Sequence, residues 1–193
     1  MASTGTILLV EDNVDDVHII RTAFSRAGYE NQIICVPEGE TAISYLKGEG
    51  KYADRELFPV PILMLLDLKM PKIGGFEVLR WVRARPEWTC LPVIVLTTSA
   101  YRGDIDEAYE LGANSFLTKP GDLEGFIREV KQMGEFWLRV SILPGVGPFI
   151  PPPDQSRAEI AEKLAAIRQK TKLRRGADLN TLPKDRSASE EAG

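Results

Sequence analysis

The 193-residue chain contains little cysteine and histidine and lacks any long apolar run. It has two cysteines, Cys35 and Cys90, and one histidine, so neither a disulfide framework nor zinc-binding spacing exists. No stretch approaches the roughly 18 consecutive apolar residues of a membrane-spanning helix. The first residues, Met1–Gly5, have neither the cationic nor the apolar region of a secretion signal. We therefore expect a soluble cytoplasmic protein in which both cysteines are small core residues.

The chain also lacks a large excess of either positive or negative charge. The 24 basic and 28 acidic residues give a net charge of −4, so nothing in the overall balance favours nucleic-acid binding. With 44% hydrophobic and 27% charged residues, the composition is that of an ordinary globular protein. The length suggests one domain with an appendage.

Strand and helix patterns alternate from residue 6 to about residue 140. Short apolar runs predict buried strands, and apolar residues at helical spacing follow each of them. Five strands alternating with five helices predict an α/β fold, a doubly wound parallel sheet of the flavodoxin-like order 2-1-3-4-5. The predicted strands cover residues 7–10, 32–36, 62–66, 92–97 and 115–118.

The composition changes at Pro144. A stretch rich in proline and glycine begins there and cannot hold a helix. Ser156 and Glu159 then form a capping-box pattern at the start of an apolar stripe with helical spacing. The prediction is a domain over residues 1–143, a linker over 144–155, an amphipathic helix over 156–176 and a disordered tail over 177–193.

Acidic side chains follow the first and third predicted strands. Glu11 and Asp12 come directly after the first strand, and Asp67 ends the apolar run 62–66. Because these strands are neighbours in the predicted order, their carboxyl ends meet and the three carboxylates should lie close together. Like charges so close need a compensating cation, and a cluster with oxygen ligands alone suits Mg²⁺.

Two further side chains reach the same crevice from the fourth and fifth strands. Thr97 supplies a hydroxyl, and Lys119 supplies a compact positive charge that suits a phosphate. A metal, a lysine and a hydroxyl around a carboxylate nucleophile make a site that accepts a phosphoryl group. The sequence therefore predicts phosphoryl transfer to Asp67.

Four motifs together resemble the receiver domain of two-component response regulators. They are Leu8–Asn13, Leu65–Pro71 with Gly74-Gly75, Leu96–Ser99 and Gly112–Pro120, and the match extends over about residues 6 to 140. The resemblance implies that Asp67 is the phosphoacceptor. It further implies that Mg²⁺ is held by Glu11, Asp12, Asp67 and the backbone carbonyl of Lys69, and that the phosphoryl group is bound by Thr97 and Lys119. By the same resemblance, Thr97 and Phe116 form the switch, and Lys69 and Thr98 tune the rates of phosphorylation and dephosphorylation. The Lys119–Pro120 peptide is expected to be cis.

The long segment Lys47–Pro61, the run Leu96–Ser99 and the ending Glu135–Pro144 resemble, more narrowly, the phytochrome-associated single-domain response regulators. That resemblance implies no DNA-binding output domain and phosphorylation by a phytochrome-type histidine kinase. It also implies a homodimer through the face of the fourth helix, fifth strand and fifth helix. From the charge balance and the lack of a long apolar run, we expect no nucleic-acid or membrane partner. Catalysis would be limited to self-catalysed phosphotransfer and dephosphorylation.

Two other functions remain open from the sequence. A phosphatase of the haloacid dehalogenase class also uses a strand-end aspartate with Mg²⁺, but it needs a second acid where Lys69 stands. An interaction module that works without phosphorylation would keep the acidic cluster as a relic. The sequence identifies neither the kinase, the stimulus nor the downstream target, and leaves the role of residues 156–193 open.

Overall fold

The computed structural model describes residues 5–119 and 121–141. Within them, five strands form one parallel sheet in the order β2-β1-β3-β4-β5. The strands are β1 (Thr6–Val10), β2 (Ile33–Val36), β3 (Pro61–Leu66), β4 (Val93–Thr97) and β5 (Ser115–Thr118). The predicted flavodoxin-like sheet and its order are confirmed.

A helix follows each strand. Asn13 caps the first, because its side-chain oxygen accepts the backbone N–H groups of Asp15 and Asp16 at 2.9 and 3.2 Å. The helices are α1 (Val14–Arg26), α2 (Gly39–Lys47), α3 (Gly75–Arg83), α4 (Arg102–Glu110) and α5 (Leu123–Gly134), which continues as a π-helical segment, Glu135–Val140. The predicted linker, amphipathic helix and tail lie outside the described residues.

Alternate residues of the strands build a core on each face of the sheet, as expected where helices cover both faces. Leu8, Val10, Met64 and Leu66 pack on one face, and Ile7, Leu9, Leu63 and Leu65 pack on the other. The first core is closed by α2, α3 and α4, and the second by α1 and α5. The central strands therefore read as continuous apolar runs, and only their ends are free to carry polar side chains.

The segment between α2 and β3 is better packed than its polar sequence suggests. Tyr45, Tyr52 and Phe58 contact one another with ring centroids 5.0 to 6.3 Å apart. Arg55 donates hydrogen bonds to the carbonyl oxygens of Tyr45 and Leu46 at 2.9 and 2.8 Å, at the C-terminal end of α2. Cationic donors are favourable there, so one arginine fastens the segment to the helix.

The prediction that both cysteines belong to the core is wrong for Cys90. Cys35 is half-buried on β2, whereas Cys90 is exposed in the turn before β4. A short 3-10 turn, Pro86–Trp88, precedes it, and Trp88 and Leu91 are the residues that turn inward there. Among the described residues, no helix has the length and apolarity needed to cross a membrane.

Gly75, the first residue of α3, lies against the backbone that follows β3. A Cβ at this position would clash with the carbonyl oxygen of Asp67 and would lie 2.7 Å from the Cα of Leu68. Its own N–H donates to the Leu68 carbonyl oxygen at 3.1 Å. The absence of a side chain at Gly75 thus allows α3 to hold the Asp67 backbone in place.

Gly75→Ala should lower the free energy of unfolding by about 1–3 kcal/mol, because an overpacked backbone contact must be relieved by movement. Urea denaturation followed by circular dichroism measures the change. Gly74→Ala is the matched control, since a Cβ at Gly74 first meets the flexible carboxylate end of Glu77 at 3.1 Å. An equal loss for both variants would contradict this account of Gly75.

Candidate functional site

Three predicted carboxylates meet at the carboxyl end of the sheet. β1 and β3 are in register, with Val10 opposite Leu66, and the N–H of Asp67 donates to the Val10 carbonyl oxygen at 3.0 Å. One oxygen each of Glu11, Asp12 and Asp67 lies within 4.8 Å of the others. Glu11 is 2% and Asp67 is 6% exposed, whereas Asp12 is exposed. The predicted acidic cluster is therefore present, and most of it is buried.

Both oxygens of Glu11 have partners. Oε1 accepts the backbone N–H of Asn13 at 3.2 Å, and Oε2 accepts a hydrogen bond from Lys119 Nζ at 2.6 Å. Burial raises the pKa of Glu11, while Lys119 opposes that rise and Asp67 adds to it. Glu11 thus joins the start of α1 to the end of β5 across the crevice.

Lys119 brings a positive charge into the cluster. Its backbone N–H donates to the Thr97 carbonyl oxygen at 2.8 Å, so the pairing of β4 and β5 fixes its position. Its ammonium group lies 2.6 Å from Glu11, 2.7 Å from Asp16 and 3.5 Å from Asp67. Burial lowers the pKa of Lys119, but the hydrogen bonds to Asp16 and Glu11 and the charge of Asp67 outweigh it and raise the pKa overall. Lys119 remains a cation.

Asp67 is less completely paired than Glu11. Oδ2 lies 3.5 Å from Lys119 Nζ, and Oδ1 is buried without a hydrogen-bond partner in the part of the chain that the structure describes. A buried carboxylate oxygen in this state is unfavourable unless a ligand satisfies it. The donor set contains only oxygens, which a hard divalent cation such as Mg²⁺ prefers. The residues present therefore fit a divalent cation.

Thr97 lies at the end of β4 and is fully buried. Its hydroxyl oxygen accepts the backbone N–H of Ser99 at 3.4 Å. The Ser99 hydroxyl donates to a carboxylate oxygen of Asp104 on α4 and accepts the N–H of Tyr101 at 3.4 Å. A chain of hydrogen bonds thus leads from the Thr97 hydroxyl to the first turn of α4, a connection that the sequence motif did not reveal.

The remaining predicted residues lie on β5 and just after β3 and β4. Phe116 on β5 pairs with Val95 on β4 and is half-buried against the core that α4 covers. Thr98 and Lys69 are both exposed. Thr98 directly follows Thr97, and Lys69 lies two residues after Asp67. The predicted cis peptide involves Pro120, which lies outside the described residues.

Asp16 is the site residue that sequence reasoning missed. It lies in the first turn of α1 and binds Lys119 at 2.7 Å, while its neighbour Asp15 is exposed. Its place in the first helical turn after the acidic strand end was the available signal, because helix side chains point towards the N-terminus of the helix. The site therefore contains four carboxylates, and those of Glu11, Asp16 and Asp67 lie 2.6 to 3.5 Å from Lys119 Nζ.

Comparison with known proteins identifies the family to which a chain with this site belongs. The sequence model of the response regulator receiver domain family matches residues 7–131. Response regulator Rcp1 of Synechocystis is 36% identical over 138 residues, which cover 72% of this chain and 92% of Rcp1. The crystal structure of the Mn²⁺-bound form of Rcp1 matches with a TM-score of 0.66 at 35% identity, covering 73% of this chain and 99% of that one.

Two further solved structures are similar. The phosphorylated cyanobacterial phytochrome response regulator RcpA matches with a TM-score of 0.69 at 37% identity, covering 74% of this chain and all of RcpA (100%). Response regulator RPA3017, in red light signaling of R. palustris, matches with a TM-score of 0.70 at 34% identity, covering 72% and 98%. This chain belongs to the response regulator receiver domain family, and within it the chain is a two-component signalling protein similar to the phytochrome-associated response regulators.

Proposed function

We propose that Asp67 is the phosphoacceptor of this response regulator and receives its phosphoryl group from a phytochrome-type histidine kinase. The observation that supports this most directly is the buried, unpartnered Oδ1 of Asp67, with a lysine ammonium 3.5 Å from the other oxygen. The similarity to RcpA, a phytochrome response regulator, supports the class of kinase.

In the proposed reaction a carboxylate oxygen of Asp67 attacks the phosphorus atom of the donor. A P–O bond to Asp67 forms as the P–N bond to the kinase histidine breaks, and the histidine leaves as a neutral imidazole after taking up a proton. Lys119 would donate a hydrogen bond to a phosphoryl oxygen and Thr97 another. Bound by Glu11, Asp12, Asp67 and the Lys69 carbonyl, Mg²⁺ would neutralise charge on the transferring group.

The new phosphoryl group would drive the switch through its charge. It carries roughly 1.5–2 negative charges in place of the single charge of the Asp67 carboxylate, and one unit pair 4 Å apart at an effective dielectric of about 20 interacts by about 4 kcal/mol. A shift of about 1.4 kcal/mol already changes a two-state equilibrium tenfold. If the Thr97 hydroxyl moves to donate to a phosphoryl oxygen, its contact with the Ser99 N–H, 3.4 Å long, would lengthen, and Phe116 would turn inward as the start of α4 moves.

The surface that responds would be the face of α4, β5 and α5, and its partner a second copy of the chain. Tyr109 on α4 is 50% exposed, and Phe136, at the end of α5, is 54% exposed. Exposed aromatic side chains are favoured at protein interfaces. Glu129 on α5 lies in the groove between β5 and α5, and its buried Oε2 has no hydrogen-bond partner among the described residues. A second copy could supply that partner.

Asp67→Asn should abolish phosphorylation, because an amide cannot accept a phosphoryl group to form an acyl phosphate. Incubation with acetyl phosphate and Mg²⁺, followed by intact-mass spectrometry, should show one added phosphoryl group on the wild type and none on the variant. Asp15→Asn is the matched control, since Asp15 is exposed beside the site. A phosphorylated Asp67→Asn protein would refute the assignment.

Asp12→Asn should weaken Mg²⁺ binding strongly and perturb the fold little, because Asp12 is exposed. At a Mg²⁺ concentration 100 times the dissociation constant, the ion stabilises the wild type by about 2.7 kcal/mol. Differential scanning calorimetry with and without Mg²⁺ should give a clear rise in melting temperature for the wild type and Asp15→Asn. An equal rise in Asp12→Asn would remove Asp12 from the ligand set.

Phe136→Ser should weaken the proposed homodimer about 10- to 100-fold, since each of the two copies loses an aromatic side chain whose full burial contributes roughly 1.5–3 kcal/mol and of which 54% is exposed. Sedimentation velocity with beryllofluoride and Mg²⁺ measures the dimer fraction. Leu57→Ser is the control, because Leu57 is 64% exposed in the segment before β3, away from the proposed face. Unchanged dimerisation of Phe136→Ser would exclude this surface.

A further inference from the structure

The ammonium group of Lys119 makes its two short contacts away from Asp67. It lies 2.6 Å from Glu11 Oε2 and 2.7 Å from Asp16 Oδ2, but 3.5 Å from Asp67 Oδ2. The last distance is longer than an ordinary hydrogen bond. Two of the three N–H groups are therefore engaged by other carboxylates, and the phosphoacceptor is left without a short bond to the lysine.

The two carboxylates that hold Lys119 differ in how easily they could release it. The Glu11 side chain is 1% exposed and both of its oxygens are engaged, so release would leave a charge buried without its partner. The Asp16 side chain is 26% exposed and lies in the first turn of α1. Water can replace Lys119 at Asp16, and the positive end of the helix dipole remains beside it.

We propose that Asp16 is a positioning residue, a releasable counter-ion that holds Lys119 off Asp67 until a phosphoryl group arrives. The hydrogen bond from Lys119 to Asp16 is then exchanged for one to a phosphoryl oxygen, while the bond to Glu11 stays. The inference rests on the proposed function above, because it assigns Asp16 a part in phosphoryl binding at Asp67.

The proposal predicts effects of opposite sign on cation and anion binding. Asp16→Asn removes a negative charge and leaves the charge of Lys119 less balanced. The crevice becomes more positive, and Lys119 is freer to pair with Asp67, so Mg²⁺ should bind more weakly. A phosphoryl mimic should bind more tightly at saturating Mg²⁺, because Lys119 no longer has to leave a charged partner.

The experiment measures two dissociation constants in the full-length chain at one ionic strength. Mg²⁺ is titrated by isothermal calorimetry, and beryllofluoride is then titrated at saturating Mg²⁺ for each protein. In Asp16→Asn, we expect the affinity for Mg²⁺ to fall and that for beryllofluoride to rise, each by about threefold to tenfold.

Two control variants separate the ion pair from general effects. Asp15→Asn removes the same charge from the same turn of α1, but Asp15 is exposed and makes no bond to Lys119. Both constants should change by less than about twofold in that variant, since solvent and salt screen the charge. Asp16→Glu restores the charge and should return both constants towards the wild-type values.

Three results would overturn the proposal. Shifts in Asp16→Asn no larger than in Asp15→Asn would mean that the ion pair with Lys119 has no influence on the site. A loss of affinity for both ligands would mean that Asp16 orients Lys119 and does not compete for it. Failure of the wild type to bind either ligand would overturn the proposed function itself, and this inference with it.

Discussion

The structure depends on one buried ion pair, between Lys119 and Glu11, which are 2.6 Å apart at the carboxyl end of the sheet. It joins the end of β1 to the end of β5, 108 residues apart in the chain. Removing one partner of such a pair typically costs about 3–5 kcal/mol, because the other charge stays buried. Lys119 also stabilises the crevice, since the carboxylates of Glu11, Asp16 and Asp67, at 2.6 to 3.5 Å from its ammonium group, would otherwise repel one another.

The same pair explains why the fold tolerates an incompletely satisfied Asp67. Glu11 uses both of its oxygens, on Asn13 and Lys119, whereas Oδ1 of Asp67 has no hydrogen-bond partner among the described residues. The close approach of Gly75 to the Asp67 backbone restricts movement of the chain that carries this carboxylate. The unpartnered oxygen of Asp67 lowers the stability of the fold, and a ligand bound to that oxygen would restore it, as is common at functional sites.

The sequence predicted the sheet and the acidic cluster because both follow from short-range rules. Apolar runs define buried strands, and strand order decides that Glu11 and Asp67 become neighbours. It did not predict Asp16 as a site residue, because its role depends on where the ammonium of Lys119 ends, a matter of side-chain geometry. Cys90 was misplaced because it lies in the turn between the 3-10 segment and β4, and apolar periodicity does not detect such a turn.

The hydrogen bonds around the site run to both faces of the sheet. Lys119 is tied through Asp16 to α1, and Thr97 is tied through Ser99 to Asp104 of α4. These helices cover opposite cores. A phosphoryl group on Asp67 would attract both Lys119 and the Thr97 hydroxyl. One reaction would therefore weaken the bond from Lys119 to Asp16 on one face and the bond from Ser99 to Thr97 on the other. α1 keeps its Asn13 cap whether or not Asp16 holds Lys119, whereas the residue before α4, Tyr101, makes no side-chain capping bond to any described residue. The rearrangement should therefore be larger at α4, which is where the proposed partner surface lies.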